Sequence, residues 1–351
     1  MSNGGGSVNT LINKKNLVIR RLCLILPGVK VLVTGGAGYI GSVTVEMLLD
    51  AGHEVIIFDN FERGHRAAAD KRAILIEGDL RDQAAIENAA AKAKPAAVIH
   101  FAAYALVGES MAVPEQYFDN NVKGGINLAG AMLKSKVKRI VFSSTCATYG
   151  QPKEIPIKED APQQPTNPYG ASKLMLEKIL AWHERLHGLQ GIYLRYFNAC
   201  GASGKFGEDH APETHLIPNI MQVALGRKPE LQIFGNDYDT PDGTCIRDYI
   251  HIKDLAQAHI LALTAKQTGA FNLGTGTGYS VQEVLKTSRR ITGREIPAKM
   301  LARRPGDPAR LVADASKASS VLGWRPTNSS LDDIISSAWT WHKSHPDGYP
   351  A

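Results

Sequence analysis

The chain has 351 residues, of which 44% are hydrophobic and 21% are charged, a balance typical of globular proteins. Its formal net charge is +6, but residues 1–28 carry +4 of this charge through Lys14, Lys15, Arg20 and Arg21. The remaining chain carries only +2, which argues against a nucleic-acid partner, and no apolar run reaches the roughly 20 residues of a membrane-spanning helix.

The cysteines and the first residues indicate a cytoplasmic protein. Four cysteines occur without CxxC pairing and at too low a density for a disulfide-stabilised secreted domain: Cys23, Cys146, Cys200 and Cys245. The apolar segment 17–27 is interrupted by two arginines, and no signal-peptide cleavage site follows it. We therefore expect a reducing compartment, no metal site, and a disordered extension over residues 1–28.

Predicted strands and helices alternate from Lys30 onward. The predicted strands are Lys30–Thr34, Glu54–Phe58, Ala73–Glu77, Ala96–His100, Arg139–Ser143 and Ile192–Tyr196. Such alternation is typical of an α/β fold with a doubly wound, Rossmann-type parallel sheet. After Asn198 the chain becomes rich in Gly, Pro and Asp. We expect an NAD-binding Rossmann domain over residues 29–198 and, over residues 199–351, mainly a smaller substrate-binding lobe.

A glycine-rich turn separates the first predicted strand from a predicted helix over Ser42–Leu49. Gly35, Gly36, Gly38 and Gly41 satisfy the GxGxxG pattern. A Cβ at such positions blocks the tight turn or the approach of backbone N–H groups to a pyrophosphate at the helix N-terminus. In this strand–turn–helix context, the pattern predicts a dinucleotide site rather than a simple connection.

The residues after the next strands predict the rest of the cofactor site. Asp59 lies 18 residues after Gly41, where a carboxylate accepts hydrogen bonds from the adenosine ribose and repels a 2′-phosphate. This favours NAD over NADP, although Arg63 nearby is a residue type that can accommodate that phosphate. We expect Asp79 near the adenine, and small residues within Phe101–Ala103 beside the cofactor.

Three tyrosine–lysine pairs match the YxxxK pattern that suits proton transfer from a carbinol: Tyr149/Lys153, Tyr169/Lys173 and Tyr249/Lys253. The first contains Gly and Pro and is not helical, and the third alternates like a strand. The second follows Asn167-Pro168, a good helix start, so its side chains share a helix face. Tyr169 and Lys173 are the candidates.

A hydroxyl partner for this pair is expected in Ser143-Ser144-Thr145, at the end of the fifth predicted strand. The alternative is that these hydroxyls only satisfy backbone groups at the strand end.

Segments throughout residues 29–350 resemble the UDP-glucose 4-epimerase family of extended short-chain dehydrogenases/reductases. The segments that carry the resemblance are TGGAGYIG, DNF, GDLRD, HFAAYALVGES, NNV, FSSTCATYG, NPYGASK, LRYFNACGA, IFGNDYDTPDGTCIRDYIH, NLGTG and RRPGD. The second-lobe segments match as well as the glycine turn, so the resemblance is more specific than a Rossmann pattern. Residues 1–28 have no counterpart in the family.

The resemblance implies two sets of binding residues. The implied NAD site comprises Gly35, Gly38, Tyr39, Ile40, Gly41, Asp59, Asn60, Asp79, Leu80, Phe101, Ala102, Ala103, Asn121, Tyr169, Lys173 and Phe197. The implied UDP-sugar site comprises Thr145, Asn198, His215, Leu216, Phe234, Arg247, Tyr249, Val281, Arg304, Asp307 and Leu311. Two arginines suit a diphosphate and Asp307 suits ribose hydroxyls, whereas a surface ion pair is the alternative for each arginine.

The implied activity is interconversion of UDP-glucose and UDP-galactose through a 4-keto sugar. Tyr169 is the implied catalytic base, with Lys173 lowering its pKa and Thr145 relaying the proton. Relatives commonly form homodimers through helices corresponding to residues 114–133 and 169–187. The alternatives are a UDP-N-acetylglucosamine 4-epimerase or dual-specificity epimerase, followed by another UDP-sugar 4-epimerase.

Three positions depart from the family pattern or adjust its specificity. Ala105 stands where many relatives have Lys, which removes one cofactor-phosphate contact, and Ala147 stands where many have Thr. At Leu311, a wall position in relatives, leucine predicts a preference for plain hexoses with a minor activity on N-acetyl sugars.

Two other functions are disfavoured. A 4,6-dehydratase on this scaffold uses a TDE motif, whereas this chain has Thr145-Cys146-Ala147, and Cys and Ala cannot replace its acid/base pair. A non-catalytic NAD-binding regulator would not need to retain Tyr169, Lys173 and Thr145 together.

Overall fold

The computed structural model describes residues 28–304 and 307–350. Apart from Gly28, the predicted disordered extension lies outside the described residues, as do Pro305 and Gly306 of the RRPGD segment. Within the described ranges, no helix is both long enough and apolar enough to cross a membrane.

The described residues form fourteen strands and ten α-helices. The strands are β1 Lys30–Thr34, β2 Glu54–Asp59, β3 Ile74–Glu77, β4 Ala97–His100, β5 Arg139–Thr145, β6 Gln190–Tyr196, β7 Asn198–Cys200, β8 Leu231–Phe234, β9 Ile246–Arg247, β10 Tyr249–His251, β11 Gly269–Leu273, β12 Tyr279–Ser280, β13 Ala298–Leu301 and β14 Arg310–Leu311. The helices are α1 Tyr39–Asp50, α2 Gln83–Ala93, α3 Val107–Ala112, α4 Pro114–Tyr117, α5 Gly124–Lys134, α6 Pro168–His187, α7 Leu216–Ala224, α8 Ile252–Ala262, α9 Val281–Thr292 and α10 Leu331–Ser344. Short 3-10 or π-helical turns occur at Arg66–Ala68, Phe118–Lys123, Cys146–Tyr149 and Ala318–Leu322.

A seven-stranded parallel sheet organises the larger lobe. Its strand order is β11-β6-β5-β4-β1-β2-β3. The order reverses at β1, which is the doubly wound arrangement of dinucleotide-binding folds. All six strands predicted in this region are confirmed, with bounds that differ by at most two residues. The seventh strand, β11, was not predicted.

The sheet is buried on both faces. Val31 and Val33 of β1 face one apolar cluster, while Leu32 between them faces the other. Side chains alternate between the two faces of a strand, and helices cover both faces of a doubly wound sheet. The near-continuous apolar runs in the sequence follow from this double burial.

The chain after residue 198 contributes to both lobes. The smaller lobe has its own core, formed mainly by α7, α9, α10 and β8. Strand β13 pairs in parallel with β8. Between these segments, α8 packs on α1, and β11 pairs with β6 at the edge of the large sheet. Residues 252–273 therefore belong to the Rossmann layer, although they follow the first smaller-lobe elements in sequence.

Candidate active site

A cavity of about 1410 Å³ lies at the carboxyl ends of the central strands, between the sheet and the smaller lobe. Gly35 follows β1, Asp59 ends β2, Phe101 follows β4 and Thr145 ends β5, and all four line it. Ligands of open α/β sheets bind at this edge, near the point where the strand order reverses. The sheet topology thus assembles residues that are distant in sequence.

The glycine turn has no room for side chains at two of its positions. Gly35 has φ +73°, and a Cβ there would lie 2.5 Å from the backbone nitrogen of Ala102. A Cβ on Gly41 would lie 2.0 Å from the carbonyl oxygen of Gly35. The turn leads directly into α1, whose first residues line the cavity. The backbone at this helix N-terminus can therefore be approached closely by a pyrophosphate.

Asp59 is buried at the end of β2 and holds the turn. Its two carboxylate oxygens accept hydrogen bonds from the backbone nitrogens of Ala37, at 3.0 Å, and Phe61, at 2.9 Å. Burial raises the pKa of this carboxyl, against the effect of these hydrogen bonds. Each oxygen keeps lone-pair capacity for ribose hydroxyls.

The neighbouring charged residues are already paired. Arg81 contacts the Asp79 carboxylate at 2.6 Å, and hydrogen bonds from this guanidinium lower the pKa of Asp79 to about 2. Asn60 donates to the same carboxylate at 2.9 Å. Arg63 pairs with Glu109 at 2.6 Å, so it is not free to bind a 2′-phosphate without breaking that pair.

Tyr169 and Lys173 lie on one face of α6, which begins as the sequence predicted. Asn167 caps the helix by accepting a hydrogen bond from the nitrogen of Gly170 at 2.8 Å. Lys173 is buried, its Nζ donates to the carbonyl of Ser143 at 2.9 Å, and it lies 6.0 Å from the Tyr169 ring centre. Burial lowers the pKa of Lys173 to about 7.

Burial also raises the pKa of the Tyr169 phenol to about 12, while a hydrogen bond with the Thr145 side chain opposes the rise. Burial thus disfavours the charged form of both groups in the protein alone. A proton-accepting Tyr169 therefore depends on hydrogen bonds and positive charge supplied around it.

Tertiary contacts distinguish the three candidate hydroxyls at the end of β5. Ser143 lines the cavity, but its hydroxyl contacts the Tyr196 hydroxyl. The Ser144 hydroxyl donates to Glu177, and neither of these two residues lines the cavity. Thr145 lines the cavity, accepts from the nitrogen of Ala147 at 3.1 Å and is the residue that meets Tyr169.

The other two YxxxK tyrosines occupy different environments. Tyr149 ends a 3-10 turn before Gly150, is buried, and donates its hydroxyl proton to Asn272 at 2.7 Å. Tyr249 lies in the short strand β10 and lines the cavity, whereas Lys253 belongs to helix α8 and does not line it. Neither tyrosine shares a helix face with its lysine.

Asn121 is the predicted site residue that does not line the cavity. Its side chain holds the backbone of Tyr104 on both sides, accepting from the nitrogen at 2.9 Å and donating to the carbonyl at 3.0 Å. It also donates to the Ser172 hydroxyl at 3.0 Å. Asn121 thus ties the loop after β4 to α6, and its direct contact with NAD stays a prediction.

The end of the cavity in the smaller lobe is rich in arginine. Arg247 is nearly buried, pairs with Asp307 and donates to the Ile246 carbonyl at 2.8 Å. The Arg304 guanidinium lies 3.9 Å from the centre of the Phe234 ring. The remaining predicted substrate residues also line the cavity: Asn198, His215, Leu216, Tyr249, Val281 and Leu311.

Sequence reasoning did not identify two acidic residues and a second histidine around His215. Glu208, His210 and Glu213 line the same cavity. Burial disfavours a charge on His215, but the carboxylates of Glu208 and Glu213 outweigh it and raise the pKa of His215 to about 10. The close spacing of His and Glu in residues 208–215 was the available signal.

Comparisons with known proteins agree with this geometry. Residues 31–274 match the model of the NAD dependent epimerase/dehydratase family. A UDP-glucose 4-epimerase of Lacticaseibacillus casei is 52% identical over 323 residues, covering 90% of this chain and 98% of that protein. The structure of UDP-glucose 4-epimerase from Brucella ovis in complex with NAD has 47% identity and a TM-score of 0.86, covering 89% of this chain and 98% of that one. The UDP-Glc/GlcNAc 4-epimerase from Campylobacter jejuni has 39% identity and a TM-score of 0.80, covering 90% and 100%.

Proposed function

Because the chain belongs to the NAD dependent epimerase/dehydratase family, we propose that it interconverts UDP-glucose and UDP-galactose with NAD as its cofactor. The observation that carries this proposal is the meeting of Thr145, Tyr169 and Lys173 in one cavity. A glycine-lined helix N-terminus lies at one end of that cavity and an arginine-rich wall at the other. The first suits a dinucleotide, and the second suits the diphosphate of a sugar nucleotide.

The residues present fit NAD. A Cβ atom at Gly35 or Gly41 would clash with neighbouring backbone, so only glycine leaves this turn free for a dinucleotide. Asp59 presents a buried carboxylate at the end of β2. That carboxylate suits the two hydroxyls of an adenosine ribose and disfavours a 2′-phosphate. When bound, NAD supplies the acceptor for the hydride on carbon 4 of the hexose.

The protein's own residues manage the proton of the 4-hydroxyl. Tyr169 accepts this proton and later returns it, as a general base and then a general acid. Thr145 holds the phenol by a hydrogen bond, and Lys173 supplies a cation along the same helix face. Return of hydrogen to the opposite face of carbon 4 inverts the configuration, so the reaction consumes no net oxidant.

The residues after Thr145 disfavour a dehydratase. Cys146 and Ala147 line the cavity beside the candidate base. Burial raises the pKa of the Cys146 thiol to about 12, so it remains protonated at neutral pH. Neither side chain can serve as the acid/base pair that removes water from an oxidised sugar.

Substrate size is set at the arginine-rich end. Leu311 lies in β14, paired with Arg247 of β9, and lines the cavity. Leucine is smaller than tyrosine but still occupies space that an acetamido group would need, and such shape differences give roughly 10- to 200-fold discrimination. We propose a preference for UDP-glucose and UDP-galactose, with minor activity on the N-acetyl pair.

The direct test is incubation of the purified protein with UDP-galactose or UDP-N-acetylgalactosamine without added NAD, followed by product analysis. We expect UDP-glucose from the first substrate and a slower reaction of the second. The Tyr169→Phe variant is the control, because it removes only the phenol hydroxyl. Absence of product with NAD added would contradict the proposal, and faster N-acetyl turnover would reassign the substrate.

We also propose a homodimer formed through α6. Met175, Trp182 and Leu186 lie seven and eleven positions apart on this helix, hence on one face, and are 45%, 59% and 67% exposed. Met111, on α3 beside α6, is 63% exposed. An apolar stripe of this kind marks a contact surface.

Sedimentation velocity tests the dimer. The Trp182→Glu substitution should yield a monomer, because a dimer would have to bury the new carboxylate in the α6 interface. Met300→Glu, a charge at another exposed apolar residue outside α6, should leave the dimer intact. A wild-type monomer at micromolar concentration would contradict this assembly.

A cytoplasmic location is part of the same proposal. In the described ranges, Cys146, Cys200 and Cys245 are free thiols. Free buried cysteines fit a reducing compartment. Fractionation of cells expressing the full chain should place the protein in the soluble cytoplasmic fraction, and recovery from a secreted fraction would contradict this.

A further inference from the structure

Three ligand-type side chains meet at the cavity wall outside the candidate catalytic residues. Glu208, His210 and His215, termed here the Glu208 cluster, each offer an atom within 4.8 Å of the others. Glu208 Oε1 lies 2.9 Å from His215 Nδ1 and 3.5 Å from His210 Nε2. The reaction assigned above uses neither Glu208 nor His210.

The two separations that involve Glu208 suit a small divalent ion after a slight adjustment. Zinc binds histidine nitrogen and carboxylate oxygen at about 2.0–2.2 Å, so two ligands on a tetrahedral ion are about 3.4 Å apart. The separation of Glu208 from His210 already matches this value. The separation of Glu208 from His215 needs to widen by about 0.5 Å, which rotation of a side chain can provide.

His215 directs one ring nitrogen toward Glu208 of the cluster. Its Nδ1 is shielded from solvent and lies 2.9 Å from the Glu208 carboxylate and 3.1 Å from the Glu213 carboxylate. Glu213 accepts from the backbone nitrogen of His215 at 2.7 Å, which fixes the residue. The ring Nδ1 of His215 therefore points at the buried Glu208 carboxylate, where a neutral imidazole would share a cation with that carboxylate.

The surrounding contacts hold the cluster in place. Asp209 accepts a hydrogen bond from the backbone nitrogen of Tyr349 at 2.8 Å, and its carbonyl lies 3.0 Å from His65 Nε2. The His210 ring packs edge-on against Tyr39, with centroids 6.2 Å apart. Metal sites need such supporting contacts because they orient the ligands before the ion arrives.

We propose that Glu208, His210 and His215 form a binding site for a zinc ion. The fourth coordination position of the ion is open to the cavity. Two imidazoles and one carboxylate suit zinc, whereas calcium and magnesium prefer oxygen ligands throughout. The buried carboxylate offsets part of the charge of the ion. The ion ties Glu208 to His215 and so fixes the loop that leads into α7.

Zinc titration of the chelator-treated full-length protein tests this site. Isothermal titration calorimetry with zinc chloride should give one equivalent per chain at this site, measured without any sugar nucleotide. Loss of a residue that only orients a metal ligand weakens affinity by about 10- to 100-fold. Loss of a direct ligand should therefore weaken zinc binding at least 10-fold in Glu208→Gln and in His210→Ala.

His187→Ala is the matched control. His187 is exposed near His183 on α6, with ring centroids 5.6 Å apart, and is the alternative place for adventitious zinc. Its removal should leave the stoichiometric zinc affinity unchanged. Absence of stoichiometric binding, or equal affinity in wild type and His210→Ala, would overturn the site. Circular dichroism in chelator confirms the fold of each variant, and metal binding is read independently of epimerase activity.

Discussion

Thr145→Ala is predicted to separate two contacts made by one hydroxyl. Thr145 Oγ1 caps the 3-10 turn Cys146–Tyr149 by accepting a hydrogen bond from the nitrogen of Ala147. It also forms a hydrogen bond with the Tyr169 phenol. The substitution removes both contacts. Because the hydrogen bond with Thr145 lowers the pKa of Tyr169, its loss shifts that pKa further upward.

The two losses have different sizes. A side-chain cap of this kind contributes about 1 kcal/mol to stability. Loss of one hydrogen-bonding group placed for the transition state lowers kcat by about 10²- to 10³-fold, which equals about 2.7–4 kcal/mol of activation free energy. Turnover should therefore fall far more than stability.

Two measurements are needed for each variant. The rate of conversion of UDP-galactose to UDP-glucose gives turnover, and urea unfolding gives the free energy of unfolding. Thr145→Ser keeps the hydroxyl and should retain turnover within about 10-fold of wild type, whereas Thr145→Val keeps the shape and should behave like Thr145→Ala. The reasoning is refuted if the Val variant turns over normally. Equal losses in the Ala and Ser variants would show that packing of the Thr methyl group, not the hydroxyl, matters.

The remaining predictions concern the base, the buried ion pair, the lysine and the wall. Tyr169→Phe should lower kcat by about 10²- to 10⁴-fold while NAD stays bound, as measured by cofactor released on denaturation; near-normal turnover would exclude the phenol as base. Glu177→Gln removes the buried partner that Arg195 contacts at 2.5 Å, and should lower the free energy of unfolding by about 3–5 kcal/mol in urea titrations; a loss below about 1 kcal/mol would contradict this. Burial lowers the pKa of Lys173 from 10.5 to about 7, so between these values the unfolded chain binds a proton that the folded cofactor-stripped protein does not, and the free energy of unfolding should rise with pH across this window in wild type but less in Lys173→Met; identical slopes would contradict it. Leu311→Tyr should abolish the minor activity on UDP-N-acetylgalactosamine and spare UDP-galactose, and unchanged N-acetyl turnover would remove Leu311 from the pocket wall.

Local sequence was sufficient for the features that depend on neighbouring residues. The strand alternation predicted the doubly wound sheet, because double burial requires apolar runs separated by helices. Gly35 and Gly41 could be identified because the tight turn lies within one short segment. Tyr169 and Lys173 could be chosen over the other YxxxK pairs because a helix start precedes only that pair.

Only the tertiary structure decided contacts between residues far apart in the chain. β11 completes the sheet beside β6, although it follows elements of the smaller lobe. The choice of Thr145 over Ser143 and Ser144 depends on contacts with Tyr196 and Glu177, which no local pattern contains.

The sequence by itself therefore determined the fold class, the tight glycine turn and the helix that carries Tyr169 and Lys173, since each follows from side-chain periodicity or a short steric constraint. The direction of Asn121 toward Tyr104 and the convergence of Glu208, His210 and His215 were decided by packing. The physical reason is that a side chain's partner depends on which elements the folded chain brings beside it, and that information is distributed over the whole sequence.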